Sequence, residues 1–408
     1  MMRRMVGGGA AAPAREARAE SGESLPPDAK AAAPKKGRVR SLDGLRGVAA
    51  LVVVFHHSLL TSPRLASAYG GPSPGGLHGL DWALTYTPLH FFWAGTEAVY
   101  VFFVLSGFVL TLATESLSFT WVTYYPQRLL RLYLPVIGGV VFAVLTVLAV
   151  PRNPVHGASW WLNHHDDPLS IRAIGYNVTL LRYTTFLNSP LWSLKWEVWF
   201  SALLPLYVLV GRRMRWHPWL LAIPLLAFIA GGAIKGHATA LYLPMFGLGV
   251  LMASHRDRLT ELGARVRAGA GSTLFLVAIL LLTAQWTLHR AFTGDVFTAL
   301  VAVEAAGAAL MVFLVWSWAP ARRLGESSPL QWLGVRSFSL YLVHEPIVVS
   351  TALLLGGRAN ALITLAIAVP VSLLGAHLFF AFVEGPSHRL ARRVGRRRSL
   401  PLRPATVD

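Results

Sequence analysis

The chain contains no cysteine at all. Disulfide scaffolds, thiolate metal centres and a cysteine nucleophile are therefore excluded, and redox chemistry says nothing about compartment. Charge is almost as scarce: 14% of residues are Asp, Glu, Lys or Arg, against roughly 25% in soluble domains. Acidic residues are the rarer sign, 19 against 37 Lys and Arg, leaving a formal net charge of +18. Walker loops, heptad runs and internal repeats are missing too. What remains is apolar, with hydrophobic residues making up 54% of the 408. The charges avoid the long apolar runs, which is the pattern of a bilayer protein, because a charge at mid-membrane costs several kcal/mol. So basic a soluble chain would point to nucleic acid. Here the arginines fall between apolar runs and at both ends, so membrane orientation explains them and nucleic acid is not expected as a partner.

Residues 1–40 are rich in Ala, Gly, Pro and charge and predict a disordered basic arm. The start lacks the 7–15-residue apolar stretch of a signal peptide, so the first membrane helix is expected to act as an uncleaved anchor. Ten apolar runs follow, near 42–62, 89–115, 128–150, 191–211, 217–234, 239–254, 272–287, 295–318, 332–356 and 360–384. Most approach the roughly 20 residues that span hydrocarbon. The expected fold is an all-α integral membrane domain of about ten helices over residues 41–390, with a basic tail at 391–408. Between 151 and 190 the segment RAIGYNVTLL reads as a re-entrant or interfacial helix.

Orientation follows from the cations. With the N-terminus in the cytoplasm, Arg128, Arg131, Arg212, Arg213, Arg215, Arg256, Arg258, Arg265, Arg267, Arg322, Arg323 and the RRVGRRR tail share that side. The other side carries scattered Arg64, Lys235, Arg290 and Arg358. This bias predicts an even number of spans and both termini in the cytoplasm. Trp160, Trp161, Trp192, Trp196, Trp216 and Trp219 sit at predicted helix ends and read as an interfacial belt.

The first span, SLDGLRGVAALVVVFHHSLL, places Arg46 and His57 eleven residues apart. On a helix that is one face, about 20° apart in rotation and about 16 Å along the axis, while His56 points about 80° away. A cation and a deeper imidazole on one stripe suit a long anionic ligand. A snorkelling arginine and a capped histidine pair is the plainer alternative. QRLLRLYLP puts Arg128 and Arg131 on one helix face, where two guanidiniums match phosphate oxygens, or simply obey charge placement. Glu197, in LWSLKWEVWF, is an intramembrane carboxylate. It would partner an imidazole or a substrate hydroxyl, or else pair with Lys195. Glu304 lies mid-span with no evident partner. In SFSLYLVHEPIV, Tyr341 and His344 are candidates for substrate contact, and Pro346 should kink the helix. Glu384 meets the cytoplasmic interface in FVEGPSHRL. NHHDDP at 163–168 reads as a solvated loop rather than a metal site, since adjacent residues seldom surround one ion, and no metal is expected.

Taken in order, SLDGLRGVAALVVVFHH, FFVLSGFVL (102–110), QRLLRLYLP, LWSLKWEVWF and SFSLYLVHEP resemble the membrane acyltransferase 3 family. The resemblance implies an integral membrane O-acyltransferase. Acyl-CoA, most often acetyl-CoA, would arrive as a donor substrate at the cytoplasmic face, with no permanently bound cofactor. The acceptor would be a hydroxyl of a carbohydrate, a glycosylated or lipid-linked molecule or a metabolite. His57 matches the family's essential histidine and Arg46 its paired arginine. Arg128 and Arg131 match the element associated with the CoA phosphates, and Glu197 matches the carboxylate of the fourth span. His57 would then either take the acceptor's proton or be acylated transiently. Two features depart from the pattern: Lys195, and the absence of an extracytoplasmic hydrolase-like domain after residue 390. The chain is expected to acylate its acceptor itself or hand the group to another protein, in a cell (inner or plasma) membrane. The competing readings are a transporter or flippase for an anionic lipid-linked substrate, and a membrane scaffold.

Overall fold

A computed structural model describes residues 39–70, 76–166, 169–213 and 218–398. The arm expected over 1–40, apart from its last two residues, lies outside the described residues. So do Asp167, Arg215, Trp216 and the tail beyond 398.

Among the described residues the chain is helical throughout, without a strand. Its apolar helices are α1 (Arg40–Leu59), α2 (Gly95–Thr114), α3 (Trp121–Ala149), α4 (Leu191–Arg213), α5 (Trp219–Ile234), α6 (Ala238–Ser254), α7 (Ala268–Leu282), α8 (Gly294–Ser317), α9 (Ser328–Leu354) and α10 (Ala361–Phe379). A basic helix, α11 (Gly385–Arg398), follows. Each predicted apolar run thus holds one of these ten helices. By length and hydropathy seven segments can cross a membrane: α1, α2, α3, α4, α8, α9 and Ala361–Val394. The expected count of about ten is therefore met only in part. At 15–17 residues, α5, α6 and α7 rise about 23–26 Å, less than the roughly 30 Å of hydrocarbon. The chain turns by 76° between α6 and the helix Arg256–Arg265. RAIGYNVTLL forms a nine-residue helix, Ile171–Thr179, too short to cross.

Contacts between loops sort them into the two ends assigned by the arginines. After α2 and α6, Glu115 pairs with Arg256. At the other end Arg64 pairs with Asp81 at 3.0 Å, and Arg290 lies over the Trp82 ring.

The most enclosed helices are α9, α1 and α2, with 72, 67 and 61% of their apolar windows buried against protein. Glycines allow them to approach. A Cβ on Gly47 would lie 2.6 Å from the Gly334 nitrogen, and one on Gly334 2.2 Å from the Asp43 carbonyl oxygen. The two helices touch backbone to backbone, as small residues permit in membranes. A second such crossing joins α2 and α6 through Gly107 and Gly249. The glycines of LDGLRG and FFVLSGF thus set helix spacing. Pro346 lies inside an uninterrupted α9. The Leu342 carbonyl, four residues back and deprived of its helical donor, accepts from Asn188 Nδ2 at 2.9 Å.

Candidate active site

His57 occupies the last turn of α1, half-buried, and faces α9. Its Nδ1 lies 2.9 Å from Nε2 of His344, and its ring stacks on Trp161, centroids 5.4 Å apart. His344 is fully buried. Its Nδ1 faces the carbonyl oxygens of Leu340 at 3.0 Å and Tyr341 at 2.9 Å. Carbonyls only accept, so in the neutral ring His344 Nδ1 carries the proton and Nε2 is bare. Nε2 therefore accepts from His57 Nδ1–H, leaving the lone pair on His57 Nε2 free. This geometry selects an imidazole ready to take a proton. His56 serves elsewhere: its Nδ1 donates to the Trp93 carbonyl at 3.0 Å and its ring packs on the Cα of Gly95.

The loop from α3 to α4 builds one wall of the site, correcting two expectations. NHHDDP is not simply solvated: His164 is exposed, but His165 is 1% exposed. His165 Nδ1 meets the Trp161 carbonyl at 2.8 Å and Nε2 meets Glu345 at 3.0 Å. Glu345 also accepts from the backbone and hydroxyl of Ser189. The buried pair ties the loop to α9 and holds Trp161 against His57. Trp161 is accordingly part of the site and not of an interfacial belt. Trp196 is also buried, with Lys195 4.8 Å over its ring. Burial fits local chemistry here: carboxylate, imidazole and hydroxyl satisfy one another, which an isolated buried charge cannot do.

The sequence candidates divide into two groups. His57 and His344 come together, and His344 touches the His57 ring directly. Tyr341 is fixed: its hydroxyl donates to the Pro190 carbonyl at 2.9 Å and lies 2.7 Å from Ser193 Oγ. Glu197 does not join the histidines or Lys195. It pairs with Arg128 and accepts from Ser106 Oγ at 3.2 Å. Arg128 also donates to Ser201 Oγ at 3.0 Å. Arg131 is exposed, and Arg46 pairs with Asp43 at 3.2 Å. Arg46, Arg128 and Arg131 are electrostatic neighbours, forming a basic group at one end of α1, with His57 at the other. Eleven residues of helix separate them, about 16 Å.

Two further features were beyond sequence reasoning. Glu304 has a partner: its Oε1 accepts from the Gln285 backbone at 3.0 Å, while Trp286 donates to Glu97 at 2.7 Å. Adjacent residues thus hold two buried carboxylates from α8 and α2. Beside them Tyr69 meets His90 Nε2 at 3.1 Å, and His90 stacks on Trp286. Burial holds the His90 imidazole well below its ordinary range and the Tyr69 phenol well above its own, so both are uncharged near neutrality. Among the described residues no group of three or more His, Asp or Glu is arranged to hold a metal.

A family model described as an acyltransferase domain matches residues 39–381. No curated protein and no solved structure matches the chain.

Proposed function

The chain belongs to the membrane acyltransferase 3 family and is a multi-pass membrane acyltransferase, and from that premise we propose that it moves an acetyl group from acetyl-CoA to a hydroxyl of a carbohydrate or lipid-linked acceptor. The observation that carries the reading is the 2.9 Å contact between His57 Nδ1 and His344 Nε2, which assigns the free lone pair to His57 Nε2. In this reading the acceptor O–H gives its proton to His57 Nε2 as its oxygen attacks the thioester carbon. The C–S bond then breaks, and the departing CoA thiolate takes the proton back from the imidazolium. His344 and Trp161 keep the ring in place, so reaction is favoured by orientation as much as by basicity.

The basic group supports acyl-CoA as donor. Arg46, Arg128 and Arg131 offer charge-assisted bonds to the nucleotide phosphates. The roughly 16 Å between that group and His57 suits the pantetheine arm. With the arginine-rich end in the cytoplasm, donor enters from inside and acceptor meets His57 near the far face of a cell membrane. Tyr341 and His344 act as supports and not as substrate contacts.

The test uses membranes containing wild type or His57→Ala, incubated with acetyl-CoA labelled in the acetyl group. Base-labile label should accumulate in extractable glycan, lipid or metabolite only with wild type. Failure of acetyl, butyryl and longer acyl-CoAs to give any His57-dependent label would overturn the proposal.

A further inference from the structure

The tail helix α11 packs along α3, the helix carrying Arg128 and Arg131. It leaves α10 through a wide turn, Phe380–Glu384, that aims Glu384 inward. There Glu384 accepts from the backbone and hydroxyl of Ser339 on α9. His388 lies 3.6 Å from Glu384 across one turn. Arg392 is one turn further, on the same face of the helix. His388 and Arg392 both have Arg131 as an electrostatic neighbour, and Arg131 in turn has Arg46 and Arg392.

Basic side chains from α1, α3 and α11 are therefore neighbours at this end: Arg46 is paired with Asp43, Glu384 is occupied by Ser339 and His388, and Arg131 and Arg392 have each other. Among the described residues, neither Arg131 nor Arg392 makes a hydrogen bond or ion pair. Positive-inside placement asks only that arginines lie on one side. It gives no reason for unpaired ones from different helices to face each other, where repulsion opposes packing. A multiply charged anion between them removes that repulsion.

We propose that Arg392, with His388 beside it, forms a subsite for the ribose 3′-phosphate of the coenzyme A donor. This inference rests on the acyl-CoA reading of the same site. Coenzyme A carries a diphosphate next to pantetheine and a separate monophosphate on the ribose. If pantetheine points toward His57, the diphosphate lies nearer the histidine and the 3′-phosphate lies further out. Arg392 is eight residues beyond Glu384, about 12 Å toward the free end of α11. It is exposed, as an entry position requires. Arg128, already engaged with Glu197 and Ser201, belongs to the inner phosphates. One guanidinium presents paired donors that match a terminal phosphate.

The experiment titrates detergent-purified protein with coenzyme A and with 3′-dephospho-coenzyme A, reading affinity from ligand-dependent melting. Wild type should prefer coenzyme A by about tenfold, the worth of one charge-assisted contact. Arg392→Ala should bind both ligands equally and melt at the wild-type temperature without ligand. Arg392→Lys should recover part of the preference. A full preference in Arg392→Ala would overturn the subsite, as would a wild type that binds both ligands equally. A wild type that binds neither would instead overturn the acyl-CoA reading beneath it.

Discussion

Nε2 of His344 lies 2.9 Å from Nδ1 of His57, and that single contact decides which nitrogen of His57 carries the proton. Two residues 287 positions apart are joined because α1 and α9 cross on glycines, Gly47 beside Gly334. The prediction concerns the acceptor role of His344. Gln places a carbonyl oxygen near the position of Nε2, whereas Phe fills the volume and accepts nothing. His344→Phe should lower kcat by about 10²-fold, within the range for a displaced general base. His344→Gln should lose less, and donor KM should stay unchanged in both. Equal loss in the two variants would mean that ring shape, not the hydrogen bond, matters at this position.

Glu197 offers a test of a different kind, because its partner is Arg128 and not an imidazole. Side chains of the pair remain 21 and 13% exposed. Replacing Glu197 by Gln should therefore cost about 2 kcal/mol of stability, less than the roughly 3–5 kcal/mol of a fully buried pair. Under the acyl-CoA reading the carboxylate also competes with phosphate for Arg128. Glu197→Gln should then bind coenzyme A more tightly, by severalfold in a melting titration, while melting at a lower temperature without ligand. Unchanged affinity with abolished turnover would return Glu197 to a direct role in the chemistry.

The residues that sequence made legible are those whose partners lie on the same helix. Arg46 and His57 on one stripe, or Arg128 beside Arg131, need only the helical repeat. The ten apolar runs likewise follow from local composition. Partnerships across helices were hidden. Glu197 lies two residues from Lys195, so a local pair looked natural, yet the long Arg128 side chain reaches it from α3. His165 looked solvated among polar neighbours, because nothing local shows that Glu345, 180 positions away, needs a counter-group. The one available signal was Glu345 itself, an acid inside an apolar run that must find a partner. The three short helices were legible as runs of 16–18 residues, and only the count of crossings built on them went further than their length allows.

A third prediction tests the glycine crossings. A Cβ on Gly249 would lie 1.9 Å from the Val104 carbonyl oxygen and 2.6 Å from the Phe108 nitrogen. Both obstacles are backbone, so no rotamer change relieves them. Gly249→Ala should cost at least about 3 kcal/mol, the upper end for overpacking, and lower the yield of folded protein. Gly231, by contrast, has nothing within 4 Å of its Cβ position. Gly231→Ala should be neutral or slightly stabilising, since alanine favours the helix by up to about 1 kcal/mol. A melting comparison in one detergent decides the matter, and equal behaviour of the two variants would refute close packing of α2 on α6.

The last prediction concerns acid. His90 is fully buried, stacked 4.1 Å from Trp286, with the Tyr69 hydroxyl at 3.1 Å. Burial holds its folded-state pKa well below the ordinary value, which in the unfolded chain is about 6.5. The sign follows from proton uptake. Above pH about 6.5 neither state is protonated at this ring, and its neutral packing contributes in full. Below it the unfolded chain gains a proton that the folded one refuses. Stability then falls by up to about 1.4 kcal/mol per pH unit until the folded-state pKa is reached. His90→Phe keeps the stack on Trp286 and removes the titration. At pH 8 it should be less stable by about 1 kcal/mol, the worth of the lost Tyr69 bond. Between pH 6.5 and 5 its melting temperature should decline less steeply than that of wild type, and the two curves should converge. Parallel curves would show that other groups, and not His90, carry the acid sensitivity of this end of the bundle.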